Sequence, residues 1–388
     1  MTPRERFLAA MRAGGVPDRV PCAPDFSNYI PCRRTGLPFW EVYFDGVVPL
    51  WKAYLDTVDY FGTEAWMASC TGVPFTYAPD RVETTVTQEY DRERDAMVQR
   101  SVVRTPDGDL TSRSLCYRAD PPSPVEKPIK DIAADFKKFK WLLREPSGVD
   151  TACVEEMRAA CVSRGQAFGM FLGYPGFHSW MNVVEGGVQP LVYAECDTPE
   201  ILEEWFDIDM AVGTRCMELA LATKPDYLLL GGSGTLTLAS PALARKYAIP
   251  ALKKWSAMAR EAGVPTMLHS CGRSRELVDM LCDDTQVDCV NPLEIAPMGD
   301  VDLAEVKRAR GSQISLMGNL HTTDVMLRGT PETVRAAARD AILAAAPGGG
   351  FILSTGDQCG RETPDENIFA LVEAAKEFGR YNPDGTLA

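Results

Sequence analysis

Short, wholly apolar runs alternate with helix-opening signals through the second half of this chain, and that alternation leaves few folds open. Residues 227–230, 266–268, 287–290, 314–317 and 351–353 read as strands buried on both faces, with 20–23 and 168–172 as further candidates upstream. Helical periodicity follows the pairs Thr2-Pro3, Thr198-Pro199, Ser240-Pro241, Thr330-Pro331 and Thr363-Pro364. In each pair the hydroxyl is placed to cap the first free N–H groups, and proline suits the first helical position because its missing N–H is not needed there. Glu5 and Glu366 lie three residues beyond Thr2 and Thr363, the spacing of a capping box. The final segment then repeats Ile368, Leu371, Val372, Ala375 and Phe378 on one helical face. Strands and helices in alternation predict a parallel sheet. No Gly-x-Gly-x-x-Gly turn follows the first strand, which favours a closed (β/α)8 (TIM) barrel over an open dinucleotide-binding sheet.

One stretch departs from this rhythm. Residues 82–117 alternate polar and apolar around a turn at Pro106-Asp107-Gly108-Asp109, which predicts a β-hairpin insertion in the N-terminal part of the barrel. Residues 120–128 hold four prolines and read as a loop. No repeat or linker divides the chain, so residues 1–388 are expected to form a single barrel domain, a length that α/β barrels reach.

Composition narrows the function classes. A net charge of -14 argues against a general nucleic-acid binder, which needs a basic face for phosphates. The sequence has no apolar run long enough to span a membrane and no apolar core segment of a secretory signal near Met1, so a cytoplasmic location is expected. The twelve cysteines follow no framework spacing and fit free thiols in a reducing compartment, most of them as small buried hydrophobes.

Only three histidines are present, and His269 is the informative one. It stands with Cys271 just past a predicted strand, and residues two apart on an extended chain point to the same side. An imidazole and a thiolate presented together suit zinc. Glu294 follows the next predicted strand, and Cys359 follows the last. In a barrel all four would meet on the C-terminal rim, where active sites are built. Taken alone, a His-x-Cys pair among twelve cysteines fits a structural role as well; the shared rim position is what argues for a metal. His178, among aromatic neighbours, reads as a pocket wall, and His321 as pocket or surface. Asp25, Asn319 and Asp357, with Arg361 nearby, are the expected lining of a substrate pocket on the same rim, Arg361 holding an anionic group.

The segment from His269 to Phe378 resembles the C-terminal half of the uroporphyrinogen decarboxylase superfamily, through Ile314-Ser315-Leu316-Met317-Gly318-Asn319, Gly329-Thr330-Pro331-Glu332-Thr333-Val334, Gly350-Phe351-Ile352-Leu353 and Thr363-Pro364-Asp365-Glu366-Asn367-Ile368. The opening, Arg4-Glu5-Arg6-Phe7 through Pro17-Asp18-Arg19-Val20-Pro21, resembles the methyltransferase branch. The arginine-rich signature of the decarboxylases is missing, and Asp25-Phe26-Ser27-Asn28-Tyr29 stands in its place. The order His269-x-Cys271, Glu294, Cys359 is similar to the zinc site of the coenzyme M-type methyltransferases, with the Glu of cobalamin-independent methionine synthase between. This resemblance implies a corrinoid-dependent methyltransferase. A methyl group would pass between a corrinoid (cobalamin) on a small partner protein and a thiol or tetrahydrofolate, with zinc assisting and Glu294 as a catalytic ligand displaced by the incoming thiol. Cys359 lies close before Thr363, so Asp357 is the rival for the last ligand position, and a metal-free polar site is the third reading. A decarboxylase of a carboxylated substrate and a non-catalytic corrinoid-protein binder are the alternatives from other classes.

Overall fold

The computed structural model describes residues 1–388, the Ser69 side chain excepted. Its strands are β1 (Phe75–Thr76), β2 (Glu83–Asp91), β3 (Ala96–Thr105), β4 (Gly108–Tyr117), β5 (Ser123–Glu126), β6 (Gly148–Val149), β7 (Gly169–Gly173), β8 (Tyr227–Gly231), β9 (Thr266–His269), β10 (Cys289–Asn291), β11 (Ser315–Leu320) and β12 (Phe351–Thr355). Strands β7 to β12 form one parallel sheet in chain order. At one edge β12 bridges in parallel to Cys22, and at the other β7 bridges in parallel to Gly72. Glu64 N–H then donates to Cys22 O at 3.0 Å and joins the two irregular staves, so eight staves close the expected barrel. The stave running from Glu64 to Gly72 gives no strand signal in the sequence, because it is tied by single bonds rather than a ladder.

Side chains at matched register point the same way, which sorts the barrel interior into layers. Tyr227, Leu229, Met267, Cys289, Met317 and Ile352 fill the inside together with Trp66. Phe7 and Met11, in and just after the first helix, Pro3–Ala10, pack into the same cluster, so this helix plugs the N-terminal end. A larger apolar layer lies between the strands and the surrounding helices. Near the N-terminal plug, Arg6 reaches Glu64 at 2.7 Å and Asp18 at 2.6 Å, Arg19 reaches Glu64 at 2.8 Å, and Cys22 N–H donates to Glu64 at 2.7 Å. Every charge in this seam has a partner.

Helix openings follow the sequence signals with two exceptions. Thr2 and Glu5 form the full capping box, and Ser240 and Thr330 accept from Leu243 and Thr333 N–H. Thr198 makes no side-chain cap. The last helix runs Asp365–Phe378 with Pro364 as its cap, so the expected Thr363–Glu366 box is absent. Thr363 is drawn off the helix axis because its N–H donates to Gly360 O and its carbonyl accepts from Arg33, and its hydroxyl is left buried without a partner.

The insertion, between the second and third staves, is larger than the expected hairpin. Strands β2 to β5 form a four-stranded antiparallel sheet. Its fourth strand, β5, lies inside the proline-rich stretch expected to be a loop. Pro124 is tolerated there because β5 is an edge strand, where no ladder donor is required. Among the described residues no helix is long and apolar enough to cross a membrane.

Candidate functional site

The site is built where the ladder of β9 runs out. His269 is the last residue of that strand, in register with Asn291 on β10 and Gly231 on β8. Ser270 N–H still donates to Asn291 O at 2.9 Å, so the chain stays extended through the next residue and the His269 and Cys271 side chains fall on one side. His269 Nε2 lies 3.1 Å from Cys271 Sγ. Asp357, in the loop after β12, completes the group: one donor atom from each of His269, Cys271 and Asp357 lies within 4.8 Å of the others. The loop is shaped for this by Thr355, whose hydroxyl donates to Asp357 O at 2.7 Å, and by Gln358 N–H, which donates to Asp357 Oδ1 at 2.8 Å.

The remaining expected residues are distributed around that group. Glu294 is buried and turned toward it, one oxygen accepting the Gly272 N–H, but it is not one of the three grouped donors. Asp25 is buried beside Asp357, with its N–H on Thr355 Oγ1 at 3.0 Å and a carboxyl oxygen accepting from Ser27. Asn319 is buried with its amide donating to Leu293 O at 2.9 Å. Cys359, expected as the last thiolate ligand, lies outside the donor group. Its N–H is held by Asp25 O at 2.8 Å and its side chain is enclosed in the apolar layer outside the strands, where burial pushes the thiol up to about 12. Arg361 is likewise turned away: its guanidinium donates to Ala119 O at 2.7 Å and to Asp120 at 2.9 Å, and pairs with Glu362, so it ties the insertion to the barrel. His178 is buried against Tyr174, ring centres 4.2 Å apart, and burial lowers its pKa to about 4. His321 accepts the Thr323 and Asp324 N–H groups and caps the turn that follows β11.

The electrostatics of the group are one-sided. Burial pushes Asp25 up to about 8, with the charge of Asp357 adding to it. Glu294 is raised by burial and by Asp357 against the pull of the Gly272 N–H, and Cys271 is raised by burial, Asp357 and Glu294. Asp357 thus presses on two carboxyls and a thiol, and no lysine or arginine is among the groups that shift those three. His269 is lowered by burial, against the raising effects of Asp357 and Asn291. Its Nδ1 and the Oδ1 of Asn291 are both buried without a well-formed hydrogen bond. A slight turn of either would let Nδ1–H donate to Asn291, which fixes the tautomer that offers Nε2 as a ligand.

Sequence reasoning missed three parts of this site. Asn291 is the neighbour that orients His269. Trp66, from the unforeseen second stave, packs its ring 5.4 Å from the imidazole. Behind Cys271, Tyr174 OH, Thr235 Oγ1 and Ser270 Oγ form a buried hydroxyl chain with links of 2.6 and 2.8 Å. Only Asn291 carried a signal, a polar residue ending a buried apolar run.

Residues 221–378 match the family model described as uroporphyrinogen decarboxylase (URO-D), as the sequence resemblance led us to expect. A methylated-thiol–coenzyme M methyltransferase of Methanosarcina mazei is 30% identical over 145 residues, 37% of this chain and 36% of the relative. A methylcobamide:CoM methyltransferase of the same organism is 29% identical over 192 residues, 47% of this chain and 50% of the relative. A uroporphyrinogen decarboxylase of Anaeromyxobacter dehalogenans is 28% identical over 241 residues, 58% of this chain and 62% of the relative. The aligned part therefore spans from about a third to under two thirds of these relatives' lengths. A solved methyltransferase from Methanosarcina mazei shares the fold across 97% of this chain and 99% of its own, with a TM-score of 0.63 at 17% identity.

Proposed function

We propose, for a chain whose residues 221–378 carry a URO-D family domain, that residues 1–388 act as one corrinoid-dependent methyltransferase unit with a zinc-assisted site at the barrel rim. The observation that carries this reading is the uncompensated donor group of His269, Cys271 and Asp357. Its nitrogen, sulfur and oxygen atoms are the mixture zinc accepts, and ligands bound to one zinc at roughly 2.0–2.3 Å sit about 3.3–3.8 Å apart, which the 3.1 Å between His269 and Cys271 and the 4.8 Å limit on the whole group bracket. A divalent cation is also what a buried cluster of acids without a basic neighbour lacks. Bound there, zinc would lower the pKa of an incoming thiol so that a thiolate exists at neutral pH.

The chain's own residues supply the rest. His269, Cys271 and Asp357 would hold the metal, with Asn291 orienting the imidazole. Glu294, fixed by the Gly272 N–H beside Cys271, is placed to approach as a fourth ligand or to take the proton an arriving thiol sheds. Asp25 and Asn319 line the same rim as polar contacts for the acceptor. The corrinoid is carried by a separate small protein, and the acceptor is a thiol or tetrahydrofolate. A decarboxylase reading draws on the Anaeromyxobacter relative, but it needs basic groups for substrate carboxylates where this rim presents acids.

Metal analysis of chelator-free protein, with a methylcobalamin assay against a panel of thiols and tetrahydrofolate, tests the proposal. The expected result is one zinc per chain and demethylation of methylcobalamin by a thiol. Metal-free protein active on tetrahydrofolate would move the assignment to the folate acceptor. Metal-free protein that transfers a methyl group to none of the acceptors and decarboxylates a porphyrinogen would overturn it.

A further inference from the structure

A second hollow opens on the same rim, two staves away from the metal-binding group. His269 is in register with Gly231 on β8, and Gly231 with Gly173 on β7, so two successive interior positions beside the imidazole carry no side chain. At about 4.8 Å per strand, Gly173 lies roughly 10 Å from His269. The Phe171 ring leans over into this space: a Cβ on Gly231 would stand 1.9 Å from it. The hollow continues outward between β7 and the helix Pro199–Ala222 as a cavity of about 370 Å³. Phe75, Phe171, Tyr174 and Trp255 are among its walls, and Phe171 keeps 38% of its surface exposed although it points into the barrel mouth.

The cavity holds one carboxyl. Asp209 lines it from the helix, and its Oδ2 accepts the Trp180 indole N–H at 2.8 Å. Among the described residues Oδ1 takes no hydrogen bond and no cation pairs with the group. Burial pushes this carboxyl up to about 7, the mark of an acid without compensation. The nearby charges do not supply it: Glu145 acts on Cys216 of the same wall with a further negative charge, and Arg144 is stacked on Tyr77 and paired with Asp80. An aromatic enclosure around one unpaired carboxylate is the arrangement that recognises ammonium groups, through the ring faces and the charge together.

We propose that this cavity is a binding site for a small methylated organic cation, with Asp209 as its counter-ion and Phe171 as its aromatic face. Nothing in the proposal depends on the methyl-transfer reading. The test uses the full chain, with and without added zinc, titrated with tetramethylammonium, choline and the neutral carbon isostere 3,3-dimethylbutan-1-ol. Binding is read by calorimetry and by the fluorescence of Trp180 and Trp255. Both cations are expected to bind and the neutral isostere to bind at least about tenfold more weakly. Asp209→Asn keeps an acceptor for the Trp180 N–H, and is expected to weaken choline by at least about tenfold without lowering the melting temperature; Phe171→Ala is expected to weaken it less. Equal binding of the neutral isostere, undiminished affinity in Asp209→Asn, or no binding of either cation overturns the proposal. If choline fails to bind while methylcobalamin demethylation proceeds, this site falls alone; if choline binds through Asp209 and no methyl transfer is found, the site stands and the activity reading falls.

Discussion

Two clusters of charged residues, each built around a buried carboxyl, the seam near the N-terminal plug and the group at the C-terminal rim, are made of similar side chains and behave oppositely. In the seam, Arg6, Arg19, Asp18 and Glu64 satisfy one another, and the hydrogen bond from Arg6 holds Asp18 well below the usual carboxylate range. At the rim, Asp25, Glu294, Asp357 and Cys271 face one another with no lysine or arginine among the groups that shift Asp25, Glu294 and Cys271, and His269 Nδ1 is left without a well-formed bond. The first arrangement stores stability and the second forgoes it. That division matches the barrel plan, in which one end holds the fold together and the other carries the chemistry.

The sharpest test of the contrast is to break the seam. Glu64→Ala takes the buried carboxylate away from Arg6, Arg19 and the Cys22 N–H and leaves Arg6 only the solvent-facing Asp18, and is expected to cost about 3–5 kcal/mol in denaturant unfolding, with zinc content per folded chain unchanged. A loss under about 1 kcal/mol would erase the distinction. At the rim the expected pattern is reversed. His269→Ala or Cys271→Ala should remove bound zinc and lower methylcobalamin demethylation by more than the roughly 10–100-fold that losing an outer partner costs, while the metal-free protein unfolds at nearly the wild-type midpoint. Retention of stoichiometric zinc in both variants would refute the ligand assignment.

Asp357→Asn against Cys359→Ser divides the rim itself. The aspartate variant should lose metal with little change in stability. The serine variant should keep metal and lose about 1–3 kcal/mol, because it buries a hydroxyl in an apolar layer. The opposite outcome would return Cys359 to the site.

The two kinds of acid also differ in the sign of their pH dependence. Asp18 is lowered in the folded chain, so its contribution is present above the ordinary carboxylate range and is lost as pH falls. Asp209 is raised to about 7, so the folded chain holds its proton longer than the unfolded one. Its charge therefore weakens the fold progressively from about pH 4 to 7. The melting temperature of Asp209→Asn relative to wild type should rise across that window and level off above it; a constant difference would show that Asp209 is compensated after all. The smallest effect is expected at Thr363. Its hydroxyl is buried and unpaired, so Thr363→Val should raise stability by up to about 1 kcal/mol, whereas Thr330→Ala, which removes a working cap, should cost about 1 kcal/mol.

What the sequence made legible follows the same physical line. Strands buried on both faces, such as β8 and β12, announce themselves as apolar runs, and Thr2 and Ser240 mark helix starts through bonds made within four residues. The stave from Glu64 to Gly72 and strand β5 carry no such local mark, since distant partners set their conformation. His269 and Cys271 were legible because one strand end presents both. Which of Asp357 and Cys359 stands beside His269 was not, because two residues of loop set it: the bonds from Thr355 and Gln358 aim Asp357 inward, and the Asp25 carbonyl draws Cys359 into the apolar layer.

The barrel is closed by its extremities. Cys22 bridges Leu353, and the Ser354 hydroxyl reaches Ala23 O across 331 residues of chain. A ribosome releases the first stave long before the last, so during synthesis the Val20–Ala23 edge waits unpaired until β12 has emerged. Over that interval the seam between Arg6, Asp18, Arg19 and Glu64, with the Glu64–Cys22 bonds beside it, is a part of the closure made of early residues alone. It can dock the plug helix and the first two staves to each other while the rest of the barrel is still being made, and so shields an open edge from pairing with another chain.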